Sequence, residues 1–179
     1  MRISLAHIAL SLVIACFFPT LADATTPPAE LLRSEGGDYR IVGQGRMRWF
    51  GLLLYDAALW VDGSQWQWDR PFALDIRYAR DFSGEKLAEA SAEEIKRLGS
   101  PMIDRLPAWR EAMRRAFPDV RKGDVILGLY RPGVGAQFYH NGRPTALVQD
   151  ADFARAFFSI WLDPRTREPR LRAALLGQR

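Results

Sequence analysis

The sequence is poor in the residue types that usually build metal sites and nucleophilic active sites. Among its 179 residues there are one cysteine, Cys16, and two histidines. A core held by disulfides or by a cysteine-type zinc site is therefore excluded. A Ser-His-Asp triad would have to be built around His140, because the other histidine lies in the apolar N-terminal stretch. We expect no metal ion and no cofactor.

Long apolar runs and blocks of like charge are also missing. The apolar stretch from Leu5 to Phe18 is shorter than the roughly 20 residues that cross a bilayer. The net charge of +4 is modest, and the basic residues are spread along the chain, apart from the arginines between Arg165 and Arg179. Because no aromatic residues are interleaved with a basic block, we expect no nucleic-acid partner.

The first 24 residues are typical of a secretory signal peptide. Arg2 supplies the positive charge, the stretch from Leu5 to Phe18 forms the apolar core, and Ala22-Asp23-Ala24 is a small-residue cleavage site. We therefore predict cleavage after Ala24 and a periplasmic or secreted protein. The prediction divides the chain into a signal peptide over 1–24, a linker over 25–35 and one domain over 36–179.

A lipoprotein signal is a less favoured alternative. Val13-Ile14-Ala15-Cys16 has the small residue followed by cysteine at which a diacylglycerol can be attached. Phe17 and Phe18 continue the apolar stretch past the cysteine, which favours the ordinary signal. Membrane contact is expected only if Cys16 is lipidated.

The hydrophobic periodicity predicts strands, then helices, then strands, then helices, which is the order of an α+β protein. Two-residue alternation indicates the strands, with Phe72, Leu74, Ile76 and Tyr78 on one face of the third. Ser83 and Gly99 are suitable caps for a helix between them, and Asn141-Gly142 predicts a tight hairpin. The predicted strands cover 38–50, 52–61, 72–78, 124–130, 136–139 and 145–149, and the predicted helices cover 84–98, 101–117, 151–161 and 169–176.

Several short motifs, in this order, resemble the bacterial chalcone isomerase-like domain. They are the segments 51–61 (GLLLYDAALWV), 130–135 (YRPGVG), 141–142 (NG), 160–162 (IWL) and 175–177 (LLG). The resemblance implies an open-faced β-sandwich, an antiparallel sheet with helices packed on one side and a cleft between them. The family includes plant chalcone isomerases and relatives that bind fatty acids without catalysis, so the fold does not fix the function.

The resemblance also implies where catalytic groups would lie. Alignment places Asp56 where the plant enzymes have a threonine, and Ser83 where they have a tyrosine, both donors to the developing enolate. An ionised Asp56 would repel that negative charge. The substitutions therefore argue against isomerase activity, and no catalytic residue is assigned.

The family's anion-binding arginine aligns with Gln44 by strict spacing and with Arg46 or Arg48 after a small shift, while its lysine matches Lys86. Arg46 and Arg48 alternate with apolar residues, so they can hold a carboxylate or face water on an edge strand. The predicted ligand-binding residues are Arg46, Arg48, Tyr55, Asp56 and Lys86.

Three functions remain open from the sequence. The favoured hypothesis is a non-catalytic binder of a fatty acid or similar small hydrophobic acid. The second is an isomerase or intramolecular lyase acting on an enone-like substrate. The third is an envelope protein-interaction module, which would use either Trp66 and Trp68 as an exposed edge or the basic tail over 165–179. The two tryptophans can equally cap the sandwich, and the sequence contains no indication of oligomeric state.

Overall fold

The structure is a computed structural model that describes residues 28–178. The predicted signal peptide over 1–24 and Cys16 lie outside these residues. The described part contains six strands, five α-helices and one short 3-10 helix at Ile103–Arg105. The elements are α1 Pro28–Ser34, β1 Tyr39–Trp49, β2 Leu52–Asp62, β3 Phe72–Tyr78, α2 Gly84–Leu98, α3 Leu106–Ala116, β4 Val125–Arg131, β5 Gly135–His140, β6 Arg143–Val148, α4 Ala151–Leu162 and α5 Pro169–Leu175.

The six strands form one antiparallel sheet in the order β1-β2-β3-β4-β5-β6. Each strand therefore pairs with its neighbour in the sequence, and β1 and β6 are the two edges. Helices α2 to α5 pack on one face of the sheet, called the inner face below. The predicted α+β fold with an antiparallel open sheet is confirmed.

The inner face carries the main core. Phe72, Leu74, Ile76 and Tyr78 of β3 are all buried there, as their alternation predicts. They pack with buried aromatic residues of α4, among them Phe158, whose ring centroid lies 5.1 Å from that of Phe72. Burial of large apolar side chains on this face supplies most of the stabilisation that holds the helices on the sheet.

The helical segment between β3 and β4 begins and ends as its capping residues indicate. The Ser83 hydroxyl accepts a hydrogen bond from the Lys86 N–H at 3.3 Å, and Gly99 ends α2 with a left-handed backbone. The helix predicted over 101–117 is divided into the 3-10 helix and α3. Pro107 lies in the first turn of α3, after the 3-10 helix, where its missing N–H costs no hydrogen bond.

The outer face of the sheet is partly covered by α1, a feature that the sequence analysis did not predict. Residues 28–34 were assigned to a linker, but they form this helix, and Leu31 and Leu32 are buried in a second apolar cluster with Tyr139. Glu35 follows α1 and accepts hydrogen bonds from the Tyr139 hydroxyl at 2.5 Å and from Arg131. The folded domain thus includes residues 28–35.

Glu35→Ala is expected to destabilise the protein by about 1–3 kcal/mol, because the Tyr139 hydroxyl and the Arg131 guanidinium lose their shared acceptor. Chemical unfolding measures the change. Glu30→Ala removes an exposed carboxylate from α1 itself and serves as the control, with a change expected within about 0.5 kcal/mol. Equal losses from the two variants would show that Glu35 does not hold α1 on the sheet.

Trp66 and Trp68 do not form an exposed edge. Both are half-buried, and their rings pack on Phe72 at centroid distances of 6.0 and 5.7 Å. The Arg155 guanidinium lies 4.0 Å from the centre of the Trp68 ring. The two tryptophans therefore cap the sandwich. They do not provide the exposed edge that the interaction-module hypothesis requires at this position.

Candidate ligand-binding site

A cavity of about 820 Å³ lies between the inner face of the sheet and the helices. This volume is typical of sites for small organic ligands. Apolar side chains form most of its wall. They are Met47, Trp49, Leu54, Ile76, Phe82, Leu87, Ala90, Phe117, Ile126, Phe157, Ile160 and Trp161.

The cavity is open because of how its walls are built. Helix α2 contributes the short side chains of Ala90 and Ser91 where it lines the space. The β1–β2 hairpin also projects past β3, since β2 pairs with β3 only from Tyr55 onwards. The end of this hairpin, beyond its pairing with β3, thus forms a wall of the cavity without a third strand beside it.

Two tyrosines give the apolar cavity a polar end. The Tyr55 hydroxyl accepts a hydrogen bond from Trp161 Nε1 at 3.0 Å, which leaves its own proton available for another acceptor. Tyr78 lines the same space, and its hydroxyl makes no hydrogen bond with another residue of the described part. The two rings lie edge to face, 6.2 Å apart. Two hydroxyl donors are therefore available to one ligand.

The protonation of both hydroxyls follows from their surroundings. Burial raises the pKa of Tyr55 to about 12, and it raises the pKa of Tyr78 above its ordinary value as well. Both groups are consequently neutral across the physiological range. A neutral tyrosine hydroxyl donates a hydrogen bond to a carboxylate or carbonyl oxygen.

The raised pKa of Tyr55 predicts a loss of stability in alkali. Its hydroxyl ionises near pH 10 in the unfolded chain but only near pH 12 in the folded protein. Its contribution to folding is therefore complete below pH 10 and declines as the pH rises towards 12. Unfolding free energies of the wild type and of Tyr55→Phe, measured across this range, should show a steeper decline in the wild type. Parallel profiles would contradict the assignment.

Charged side chains lie at the rim of the cavity. Lys86 is exposed on the first turn of α2, and no carboxylate within residues 28–178 lies within 4.0 Å of its ammonium group. Arg167, by contrast, pairs with Glu94 at 3.1 Å, and Glu94 also pairs with Arg97 at 2.9 Å. Lys86 is thus the rim cation best placed to attract a ligand anion.

The sequence profile of the family described as chalcone isomerase-like matches residues 28–177. The chain belongs to the chalcone isomerase-like family. An uncharacterized protein of Haemophilus influenzae is 28% identical over 138 residues, which are 76% of this chain and 67% of that protein. The crystal structure of the Arabidopsis thaliana fatty-acid binding protein AtFAP1 matches with a TM-score of 0.57 at 12% identity, over 86% of this chain and 90% of that one. At this identity the likeness shows the fold.

Two of the five predicted site residues lie on the cavity of this chalcone isomerase-like domain, and three do not. Tyr55 and Lys86 line it. Arg46 and Asp56 pair with each other at 3.0 Å on the outer face, and the Arg48 guanidinium donates to the Gly51 carbonyl oxygen at 3.1 Å. The carboxylate site predicted at Arg46 or Arg48 is therefore not part of this cavity.

The physical reason for this placement of the arginines is the two-residue alternation of β1. Met47 and Trp49 line the cavity, so the arginines between and beside them point to the other face. The sequence analysis separated the two faces of β1 correctly. The helices, however, cover the face of Met47 and Trp49, whereas the ligand site was predicted on the face of the arginines. Asp56 likewise points away from the cavity. Its carboxylate cannot repel a bound enolate, and that argument against catalysis no longer applies.

The sequence analysis missed Tyr78 and Trp161 as site residues. Tyr78 was recognised only as a core-facing residue, and Trp161 only as part of a family motif. A partial signal was available in the sequence, since Tyr78 is the last residue of the predicted strand 72–78 and lies on its apolar face. A buried tyrosine at a strand end needs a partner for its hydroxyl, and here a ligand can supply it.

Proposed function

We propose that this protein is an exported, non-catalytic binder of a fatty acid or a similar small hydrophobic acid. The observation that carries the proposal is the apolar cavity with the neutral hydroxyls of Tyr55 and Tyr78 at one end. The likeness of the fold to a protein described as a fatty-acid binding protein supports it. An apolar wall with a few convergent polar groups is the usual form of a site for such a ligand.

The polar groups indicate how the acid would lie. Tyr78 is the last residue of β3, and the chain returns through Phe82 to the first turn of α2, where Lys86 lies. The ligand carboxylate would accept hydrogen bonds from Tyr55 and Tyr78, and Lys86 would supply positive charge at the rim. The hydrocarbon chain would then pack on the apolar side chains of the inner face.

Export is part of the proposal because of the charged, apolar and small-residue regions of residues 1–24. A binder in the periplasm would keep a sparingly soluble acid in solution between membranes. Terminal sequencing of the mature protein tests this directly. A chain that begins at Thr25 supports export by an ordinary signal, whereas a chain that retains Met1 would contradict it.

Native mass spectrometry of protein purified from its own cells tests the binding. We expect a bound mass that matches a fatty acid and dissociates on unfolding. Ser91→Trp places an indole in the cavity and should reduce the bound fraction about tenfold or more, since the ring occupies the space of the hydrocarbon. Glu93→Trp makes the same addition at an exposed position of α2 and should leave binding unchanged. An empty wild-type protein that also binds no fatty acid in vitro would overturn the proposal.

One observation favours the isomerase alternative as well. Two hydroxyl donors in an apolar cavity can stabilise the negative oxygen of an enolate. This alternative predicts turnover of an enone-containing phenol that is lost in Tyr55→Phe while the fold is retained. Binding of such a phenol without turnover would leave the binder as the function of the site.

A further inference from the structure

The tip of the β1–β2 hairpin, residues Arg48–Leu52, exposes an unusual amount of apolar surface. Trp49, Phe50 and Leu52 are 61, 87 and 51% exposed. The other large exposed apolar side chains of the described part are isolated at single positions, such as Leu147 on β6. Isolated apolar residues on a surface are ordinary, whereas a contiguous patch indicates a contact with something else.

The backbone at this tip is strained in a way that the fold does not explain. Phe50 and Gly51 form the two-residue turn with φ values of 46° and 81°. The hairpin between β5 and β6 has nearly the same turn, with φ values of 50° at Asn141 and 82° at Gly142. Asparagine suits the first position of such a turn, and a bulky residue there is disfavoured.

The Phe50 side chain is mostly exposed and makes little packing contact with the folded domain. Among the aromatic rings of residues 28–178, its ring contacts that of the neighbouring Trp49 alone, with centroids 4.8 Å apart. A strained and exposed aromatic residue is best explained by a role outside the folded domain.

The position and charge of the tip indicate what it contacts. Trp49 belongs both to the tip and to the wall of the cavity, so a surface that receives the tip also lies beside the cavity. The arm from Arg46 to Asp56 carries two arginines and one aspartate, and Arg46 already pairs with that aspartate. The Arg48 guanidinium is held at the tip by the Gly51 carbonyl oxygen. Aromatic side chains beside an uncompensated cation match the interfacial region of an anionic bilayer.

We propose that the tip Arg48–Leu52 inserts into the headgroup region of an anionic phospholipid bilayer and thereby brings the cavity beside the membrane. Trp49, Phe50 and Leu52 enter the interface, and Arg48 contacts lipid phosphates. This contact requires no lipid on Cys16, in contrast to the expectation from the sequence. That the contact serves ligand exchange rests on the proposed function, but the contact itself does not.

Vesicle flotation tests the proposal with the full chain carrying Cys16→Ala, so that no lipid can be attached, and the intact mass confirms removal of the signal. We expect binding to vesicles of phosphatidylglycerol and phosphatidylethanolamine that weakens with salt. Phe50→Asn should reduce this binding by about tenfold or more. Its melting temperature should be unchanged or higher, because asparagine relieves the turn, so a loss of binding cannot be attributed to unfolding. Leu147→Asn, which removes an exposed apolar residue at the opposite edge, should bind as the parent does.

The outcomes separate this proposal from the proposed function. Vesicle binding that persists in Phe50→Asn overturns the membrane contact, as does a dimer in solution that Phe50→Asn dissociates without any binding to vesicles. In either case the affinity for a dissolved fatty acid still decides the proposed function by itself. If both proposals hold, Phe50→Asn keeps its affinity for the dissolved acid but takes it up from vesicles more slowly.

Discussion

Replacing Tyr55 and Tyr78 together by phenylalanine is expected to reduce the affinity for a long-chain fatty acid by about one to two orders of magnitude. The double variant removes two hydroxyl donors and keeps both rings, so the apolar wall is preserved. A hydrogen bond to a charged group contributes about 1.5–3 kcal/mol. In the double variant, water can hydrogen-bond to the ligand carboxylate and so replace part of this contribution. Isothermal titration with the protein freed of endogenous ligand measures the change.

Tyr39→Phe provides the control for this experiment. It makes the same chemical change on the outer face of the sheet, where Tyr39 packs with the cluster under α1, and it should not alter binding. The double substitution should reduce the affinity for the methyl ester of the same acid much less than it reduces the affinity for the acid. If the double variant binds the acid as tightly as the wild type, the tyrosines do not hold the headgroup.

Gly84→Ala is expected to destabilise the protein by about 3 kcal/mol. A Cβ at this first residue of α2 would lie 2.0 Å from the Phe117 carbonyl oxygen, a backbone atom that no side-chain rotation can move aside. The Gly84 N–H also donates to the Asp119 carboxylate at 2.8 Å, so the start of α2 is held against the connection that follows α3. Chemical unfolding measures the loss.

The same variant should weaken ligand binding, because α2 carries Lys86, Leu87 and Ser91 into the cavity wall. Glu93→Ala, at an exposed position of the same helix, should change stability by less than about 0.5 kcal/mol. A Gly84→Ala variant as stable as the wild type would show that the two segments are not in close contact.

Local patterns were sufficient to predict most of the fold. The alternation in β3, the caps Ser83 and Gly99, and the Asn141-Gly142 hairpin each depend on interactions between near neighbours in the chain. These are the interactions that a single sequence records. The seven residues of α1 were missed because so short a segment carries little periodic signal. What holds them is the contact of Leu31 and Leu32 with distant strands.

The candidate site was predicted only in part for a similar reason. Alternation separates the residues of β1 into two faces, but the position of the helices decides which face becomes the cavity. Lys86 was identified through the family resemblance and Tyr55 as a neighbour of the predicted arginine site, whereas Arg46, Arg48 and Asp56 lie on the face away from the cavity. The pairing of Tyr55 with Tyr78 depends on the register of two strands. Register is set by the turn and by the whole packed face, and single residues do not reveal it.

The most direct test of the account is a ¹³C nuclear magnetic resonance titration with a fatty acid labelled at its carboxyl carbon. The account predicts one resonance of bound acid in the wild type, shifted from that of the free acid by hydrogen bonds to Tyr55 and Tyr78. That resonance should move or broaden in the double phenylalanine variant and stay unchanged in Tyr39→Phe. A wild-type protein that gives no bound resonance, or one that the double variant reproduces, would contradict binding of the acid at this site.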